Sequence, residues 1–263
     1  MSIRFKRGQK LNLPTGSEGE PLYTTDDREF YVGGNARNRR IDFPAVYPEE
    51  YGAKGDGTTD DSAAIQAAID AVKTTGGTVI LSSKKYLINT TLDMSNIQPH
   101  AYDYSTAKAV ILRGSGMYQT YLTGGEVGYG FIDMVGSNYL KIEGMTIVST
   151  VATQYGIVSG RMTGDGSSGN HVFKDLMIYG SFTKSAIFAM SSEICLYDRV
   201  YVYTTAGKGI ILARENTSYS VSAKHTALST SAIIAGGNGV NRMIGCQIMT
   251  ISSTATDYPL TLE

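Results

Sequence analysis

Residues 51–72, YGAKGDGTTDDSAAIQAAIDAV, followed at once by the apolar run Gly77 to Leu81, decide how the rest of the chain is read. Gly52, Gly55 and Gly57, set among Lys54 and Asp56, supply the positive-φ freedom of a tight polar loop and exclude a helix or an ordinary strand there. A helix can begin only after them. Thr58, Thr59, Asp60 and Asp61 offer side-chain oxygens to the unpaired N–H groups of a first turn, and their negative charge suits the helix dipole. Ile65, Ala68, Ile69 and Val72 recur at helical spacing among small alanines, and Gly76 and Gly77 end the run. The following TVILSSKKYLI is β-branched and aromatic, as strands are. One thin amphipathic helix therefore precedes a long β region and should cover something apolar. Asp56, Asp60 and Asp61 are read as caps and not as a metal cluster, because the loop lacks the ligand spacing of a calcium site.

Composition narrows the function classes. The chain has 263 residues, a net charge of −1, 30 glycines, no tryptophan, and 18 tyrosines against 7 phenylalanines, usage that suits a turn-rich β architecture. Near-neutral charge gives no electrostatic case for nucleic acid or an anionic membrane. No apolar run approaches the ~20 residues of a membrane span, and MSIRFKRGQKLNLP has no apolar signal core, so neither membrane insertion nor a signal peptide is expected. Cys195 and Cys246 have no redox or metal spacing and are read as buried hydrophobes. His100, His171 and His225 are scattered, so no metal and no cofactor is expected.

The N-terminal part has its own character. EPLYTTDDREFYVGGN reads as a hairpin, with Leu22 and Tyr23 on one strand, TTDD at the turn and Glu29 to Val32 on the other. NARNRRIDFPAVYP reads as a linker, closed by Pro44 and Pro48. The division expected is an N-terminal β module over 1–42, a linker over 43–49 and a β domain over 50–263.

Downstream, one period governs two strand types. GIV at Ile157, AIF at Ile187, GII at Ile210 and AII at Ile233 are separated by 30, 23 and 23 residues. IEGMTI from Ile142, FKDLMI from Phe173, YDRVYV from Tyr197 and MIGCQI from Met243 step by 31, 24 and 46, the last being twice 23. Two strand types sharing a period of about 23 indicate a solenoid of three short strands per coil, each pairing in parallel with its equivalent one rung on. That register sets Asp198 over Lys174 and Arg199 over Asp175, so these charges are read as a structural ladder.

These motifs carry a resemblance. EYGAKGDGTTDDSAAIQAAIDAV with GGTVILSSKKYLI and VILRGSGMYQTYL resembles the opening segment of the pectate-lyase-like superfamily of phage tailspikes and polysaccharide-active proteins, departing from it where Ser83, Lys84 and Lys85 precede Tyr86. RGQKLNLPTGSEGEPLYTTDDREFYVGG resembles a module near the N-termini of phage tail fibres and tailspikes that helps to mount them on the virion. The resemblance implies an all-β chain: a right-handed parallel β-helix capped by an N-terminal α-helix, behind a small virion-attachment module. It also implies a homotrimer in the virion tail, docked on tail or neck proteins through residues 1–42, made in the host cytoplasm and attaching to host surface polysaccharide. It permits, without establishing, depolymerase activity by glycoside hydrolysis or lyase elimination. A non-enzymatic adaptor or decoration protein is the alternative.

Candidate site residues fall where the period breaks. The extra residues between Ile157 and Ile187 lie in GRMTGDGSSGNH, which contains Asp165, and insertions in solenoids emerge as loops that often bind. NIQPHAYDYSTAK interrupts the early rungs and carries Tyr102, Asp103 and Tyr104, whose aromatic faces and carboxylate suit a sugar or, equally, the packing of a neighbouring subunit. Glu193 and Glu215 occupy nearly the same turn of successive rungs, which brings two carboxylates to about 5 Å, as hydrolysis with retention requires. The simpler reading is two exposed corner glutamates. YPLTLE would leave the solenoid end uncovered, so either the chain is expected to continue beyond Glu263 or another chain is expected to cover that end.

Overall fold

The computed structural model describes residues 6–8, 21–24, 30–32, 39–41, 45–97, 108–126, 128–160, 168–189, 192–193, 195–204, 208–213, 216–219, 222–225, 233–236, 242–244, 247–250 and 260–262. These fall into two units, Met1–Pro44 and Ala45–Glu263.

In the first unit, β1 (Lys6–Gly8) lies parallel to β2 (Pro21–Thr24), which pairs antiparallel with β3 (Phe30–Val32). Leu22 faces Tyr31 and Tyr23 faces Phe30, the hairpin expected from the sequence, and Leu22 is fully buried. A further strand, β4 (Arg39–Ile41), pairs antiparallel with β3 and sets Ile41 opposite Phe30. Polar, basic composition had marked this stretch as part of a linker, but an apolar pairing partner makes a strand of it.

The second unit is a parallel β-helix. Its first wall stacks β5 (Ala45–Val46), β7 (Gly77–Leu81), β10 (Val110–Gly114), the start of β13 (Leu140–Val158), the start of β15 (Val172–Ala189), the start of β17 (Cys195–Thr204), β19 (Asn216–Tyr219) and β22 (Arg242–Ile244). The second wall runs through β6 (Asp56–Asp60), β8 (Lys85–Ile88), β11 (Tyr121–Gly124), the middles of β13 and β15, the end of β17, β20 (Ser222–His225) and β23 (Gln247–Thr250). The third comprises β9 (Leu92–Asp93), β12 (Gly130–Asp133), the ends of β13 and β15, β18 (Lys208–Ala213), β21 (Ile233–Gly236) and β24 (Leu260–Leu262). Ile157, Ile187, Ile210 and Ile233 pair in succession, as their period required. Tyr197 pairs with Ser218 and Ser218 with Met243, so the double step of 46 residues contains one further rung, with serine at the paired position.

Each wall sends one column of apolar side chains inward. Val79, Leu112, Ile142, Phe173 and Tyr197 stack from the first wall, Tyr86, Leu122, Ile147, Ile178 and Val202 from the second, and Leu92, Ile132, Ile157, Ile187 and Ile210 from the third. All are buried. The rings of Phe173 and Tyr197 lie stacked with centroids 4.9 Å apart, close to the strand spacing of about 4.8 Å. Cys195 is buried in the same core.

Before the first complete rung, α1 (Ser62–Lys73) takes the place that a third strand would occupy after β5 and β6. Ile65, Ala68, Ile69 and Val72 are buried against that core, as their spacing implied. On the flank, Gln66 treats the edge of β9 as a strand would: its Oε1 accepts the Asp93 N–H (2.7 Å) and its Nε2 donates to the Asp93 carbonyl (3.0 Å). The acidic residues before α1 divide the capping work differently from expectation. Asp60 accepts from the Ser62 N–H (3.0 Å) and hydroxyl (2.5 Å), whereas Asp56 accepts from the N–H groups of Thr58 and Thr59. Asp61, buried at the cap position, accepts the Ile65 N–H on its carbonyl (3.0 Å), but its side chain makes no capping bond; the carboxylate turns back and accepts from the N–H groups of Lys54 (2.6 Å) and Gly55 (3.0 Å). The glycine loop is thus tied to the helix start. It also contributes to a strand: Asp56–Asp60 pairs with β8 through a bulge, with Gly57 at φ +77°.

Two outcomes follow. Ile69→Ala should lower the unfolding free energy by about 2–5 kcal/mol, whereas Gln66→Ala should cost about 1 kcal/mol because water can reach the freed edge groups; denaturant titration of both variants checks the order. His171 is buried against Phe173, accepts the Leu140 N–H on Nδ1 (3.3 Å), and burial pushes its pKa down from 6.5 to about 3. Its folded pKa lies below its unfolded one, so its contribution is complete above pH 6.5 and is lost as pH falls from there toward 3. Within that window the folding equilibrium should fall about tenfold per pH unit from this residue, a slope that His171→Gln removes in unfolding curves taken from pH 7 to 4.

Candidate functional site

At the corner between the first and second walls the chain turns through one residue per rung. Gly144, Asp175 and Arg199 hold this place with φ of +69°, +50° and +52°, each directly after the paired positions Glu143, Lys174 and Asp198. Left-handed backbone aims these side chains away from the core, and asparagine or aspartate tolerates it far better than arginine. Over these rungs the corner is the third residue of the repeat motifs IEGMTI, FKDLMI and YDRVYV, reading Gly, Asp and Arg.

Alongside that corner lies an open cleft of about 550 Å³. Its walls are Arg113, Glu143, Asp175, Arg199, Tyr201 and the loop 114–118 that ends in Tyr118. Tyr118 is 67% exposed and Tyr201 39% exposed. The charged groups form two ion-pair clusters on successive rungs. Arg113 Nε donates to Glu143 Oε1 (2.5 Å), and Lys141 Nζ lies 2.7 Å from Glu143 Oε2. Arg199 grips Asp175 through Nε (2.5 Å) and Nη2 (2.9 Å), while its Nη1 donates to Asp198 (3.2 Å), which also faces Lys174 at 3.8 Å. The expected pairing of Asp198 with Lys174 and of Arg199 with Asp175 is what forms.

Both cleft carboxylates are held ionised. Burial alone would raise the Glu143 pKa, but hydrogen bonds from Lys141 and Arg113 bring it below the ordinary carboxylate value. The Arg199 hydrogen bonds do the same for Asp175 against weaker desolvation. A general acid for glycoside cleavage must carry a proton near neutral pH, and neither group is tuned to do so. Tyrosine faces, guanidinium donors and carboxylate acceptors make instead a surface for binding a sugar.

The residues singled out from the sequence lie elsewhere. Glu193 belongs to β16 (Ser192–Glu193), whose backbone pairs with β14 (Ser168–Gly169) and sets Glu193 opposite Gly169. Its side chain, together with Glu215, Tyr102, Asp103, Tyr104 and Asp165, lies outside the described residues. The break in period does fall where expected: β13 ends at Val158 and β15 begins at Val172, against Ala189 and Cys195 one rung later. Sequence reasoning passed over Arg113, Glu143, Tyr118 and Tyr201, although RGSGMYQ, a glycine-spaced loop ending in an aromatic, was a usable signal. Among the described residues no group of three or more His, Cys, Asp or Glu is gathered as a metal site needs, and no helix is long and apolar enough to cross a membrane.

Comparison with known proteins agrees with this architecture. Residues 46–134 match the family described as rhamnogalacturonase A/epimerase, pectate lyase-like. Residues 46–134 are thus pectate-lyase-like. Residues 3–34 match the major tropism determinant N-terminal domain. The fold resembles that of full-length tailspike protein 2 from Escherichia coli O157:H7 bacteriophage CAB120, with a TM-score of 0.61 at 15% identity over 95% of this chain and 37% of the other. A putative glycosyl hydrolase of Parabacteroides merdae gives a TM-score of 0.54 at 13% identity, covering 81% of this chain and 99% of the other. At the sequence level, 56 residues, 21% of this chain, are 50% identical to the capsule K30/K69-specific depolymerase 1 of Klebsiella phage K5-2. They amount to 6% of that protein, so the chain spans a small part of this relative.

The strained corner gives a ranking to test. Arg199→Ala should cost under about 1 kcal/mol, since both ends of the ion pair reach solvent. Arg199→Gly should be about 1 kcal/mol more stable than Arg199→Ala, because glycine accepts the left-handed backbone without a Cβ penalty; denaturant midpoints give the order.

Proposed function

We propose that this chain is a virion-anchored receptor-binding protein of the tailspike or tail-fibre kind, whose β-helix attaches to host surface polysaccharide. The observation that carries the reading is the junction, in one chain, of a segment matching the tropism-determinant N-terminal domain and a pectate-lyase-like β-helix. In this reading residues 1–42 dock on tail or neck proteins and residues 50–263 belong to the host-facing part. The protein works in the virion tail as a homotrimer, whose symmetric closure buries N-terminal strands too short for a core of their own. The insertion residues Tyr102, Asp103, Tyr104 and Asp165 contribute to glycan binding.

A second reading, depolymerisation of the bound polysaccharide, is favoured by the stretch shared with the Klebsiella phage depolymerase. Glu193 and Glu215 are then the carboxylates to test, because the corner carboxylates Glu143 and Asp175 are committed to ion pairs.

Incubation of the full chain with purified host capsule and lipopolysaccharide should give saturable binding, and pre-treatment of cells with the protein should reduce phage adsorption. No binding to any host glycan refutes the receptor reading. Analytical ultracentrifugation should show a trimer, and a stable monomer counts against the assembly. Shortened glycan products that disappear in Glu193→Gln or Glu215→Gln would establish the second reading, and their absence from the parent protein removes it.

A further inference from the structure

The corner ladder does not balance. Its cations are Arg113, Lys141, Lys174 and Arg199; its anions are Glu143, Asp175 and Asp198. One positive charge is left over, and the hydrogen bonds show where its donors are. Arg199 uses Nε, Nη1 and Nη2 on Asp175 and Asp198. Arg113 uses only Nε, on Glu143, and its two Nη groups meet no acceptor among the described residues. Its side chain is 46% exposed and lines the cleft. A guanidinium held at one nitrogen and open at the others is a preset fork for an oxyanion. Beside it the loop 114–118 holds Tyr118 as the most exposed large aromatic of the described residues, a face on which the C–H side of a sugar ring can lie.

We propose that this cleft is a subsite for an acidic sugar residue: the Nη groups of Arg113 bind a carboxylate or phosphate borne by the sugar, and Tyr118 supports its ring. The inference rests on the polysaccharide-receptor reading and narrows it to glycans with an anionic substituent. A neutral sugar would leave the Arg113 fork hydrated and unused. A free anion without a ring would gain nothing from Tyr118. Glu143 and Asp175, each oxygen already bound to one donor, keep lone pairs for hydroxyls on the same residue.

The test is retention of the full chain on an immobilised panel of uronate-bearing, phosphate-bearing and neutral bacterial oligosaccharides, with carboxyl-reduced and dephosphorylated forms of the acidic ones. Retention should follow the anionic group, and its chemical removal should weaken binding at least tenfold. Arg113→Gln should lose as much, with Arg113→Lys between it and the parent because charge remains while the fork is lost. Tyr118→Ala should weaken binding to the same ligands by severalfold. The two arms tell carboxylate from phosphate. Unchanged circular dichroism of the variants is expected, since Lys141 still neutralises Glu143. Retention that ignores the anionic group, or an Arg113→Gln protein that binds as the parent does, overturns the subsite while leaving the receptor reading intact. Retention of no glycan by the parent overturns the receptor reading itself.

Discussion

Everything in the β-helix depends on in-register parallel stacking of its rungs. Side chains alternate along a strand, so a slip of one residue would turn Val79, Leu112, Ile142, Phe173 and Tyr197 outward and bring Arg113, Glu143, Lys174 and Asp198 into the core. The cost of burying unpaired charge makes that alternative inaccessible. Once the apolar columns fix the register, the outward residues have no freedom left: opposite charges meet on adjacent rungs because their inward neighbours do. The ion-pair ladder is therefore a consequence of core packing. At its exposure it adds little stability of its own.

A stack of this kind leaves apolar side chains and unpaired strand edges at its ends, and the first rung shows how one chain manages both. Apolar cover comes from the buried face of α1. Edge pairing comes from a side chain, since the Gln66 amide has one donor and one acceptor at the spacing that the Asp93 backbone presents. Neither device suffices alone. A helix with alanine at position 66 would cover the core and leave the β9 edge to water, whereas a strand there would pair the edge and leave the bottom of the barrel open. Asp61 adds the third constraint by binding the Lys54 and Gly55 N–H groups, so the loop and the helix it precedes are positioned together.

The sequence made the repeat legible because buried columns need the same kind of residue at a fixed interval. Ile157, Ile187, Ile210 and Ile233 mark the third wall in the sequence itself. Ser218 hid one rung, since a serine at this register position breaks the apolar pattern of the sequence without breaking the backbone pairing. The acidic run before α1 was legible as capping but not in its division of labour. Asp61 reaches backward because the glycines fold the loop onto it, a tertiary fact absent from local propensity. The stretch NARNRRIDFPAVYP, read as a linker, contains two strands for the same reason. Arg39–Ile41 and Ala45–Val46 are too short to declare themselves, and each is a strand only because β3 or β7 is there to pair with it.

The cleft was illegible for a different reason. Sequence reasoning looked for function in insertions, where the period breaks, and for paired carboxylates, which hydrolysis needs. Arg113, Glu143, Asp175, Arg199 and Tyr201 sit instead where the period is kept, and only stacking brings residues some 90 positions apart into one surface. A regular corner can become a binding surface because its side chains answer to no packing demand: Asp175 and Arg199 adopt left-handed backbone that the core does not need and that glycine would adopt more easily, as Gly144 does. Arginine at such a place costs about 1 kcal/mol of backbone strain, comparable to or larger than what an exposed ion pair returns. Stability therefore does not account for Arg199. Its effect is to neutralise, together with Lys174, the pair Asp175 and Asp198, and with Glu143 already held by Lys141 this leaves the donors of Arg113 as the unmatched charge beside the exposed ring of Tyr118.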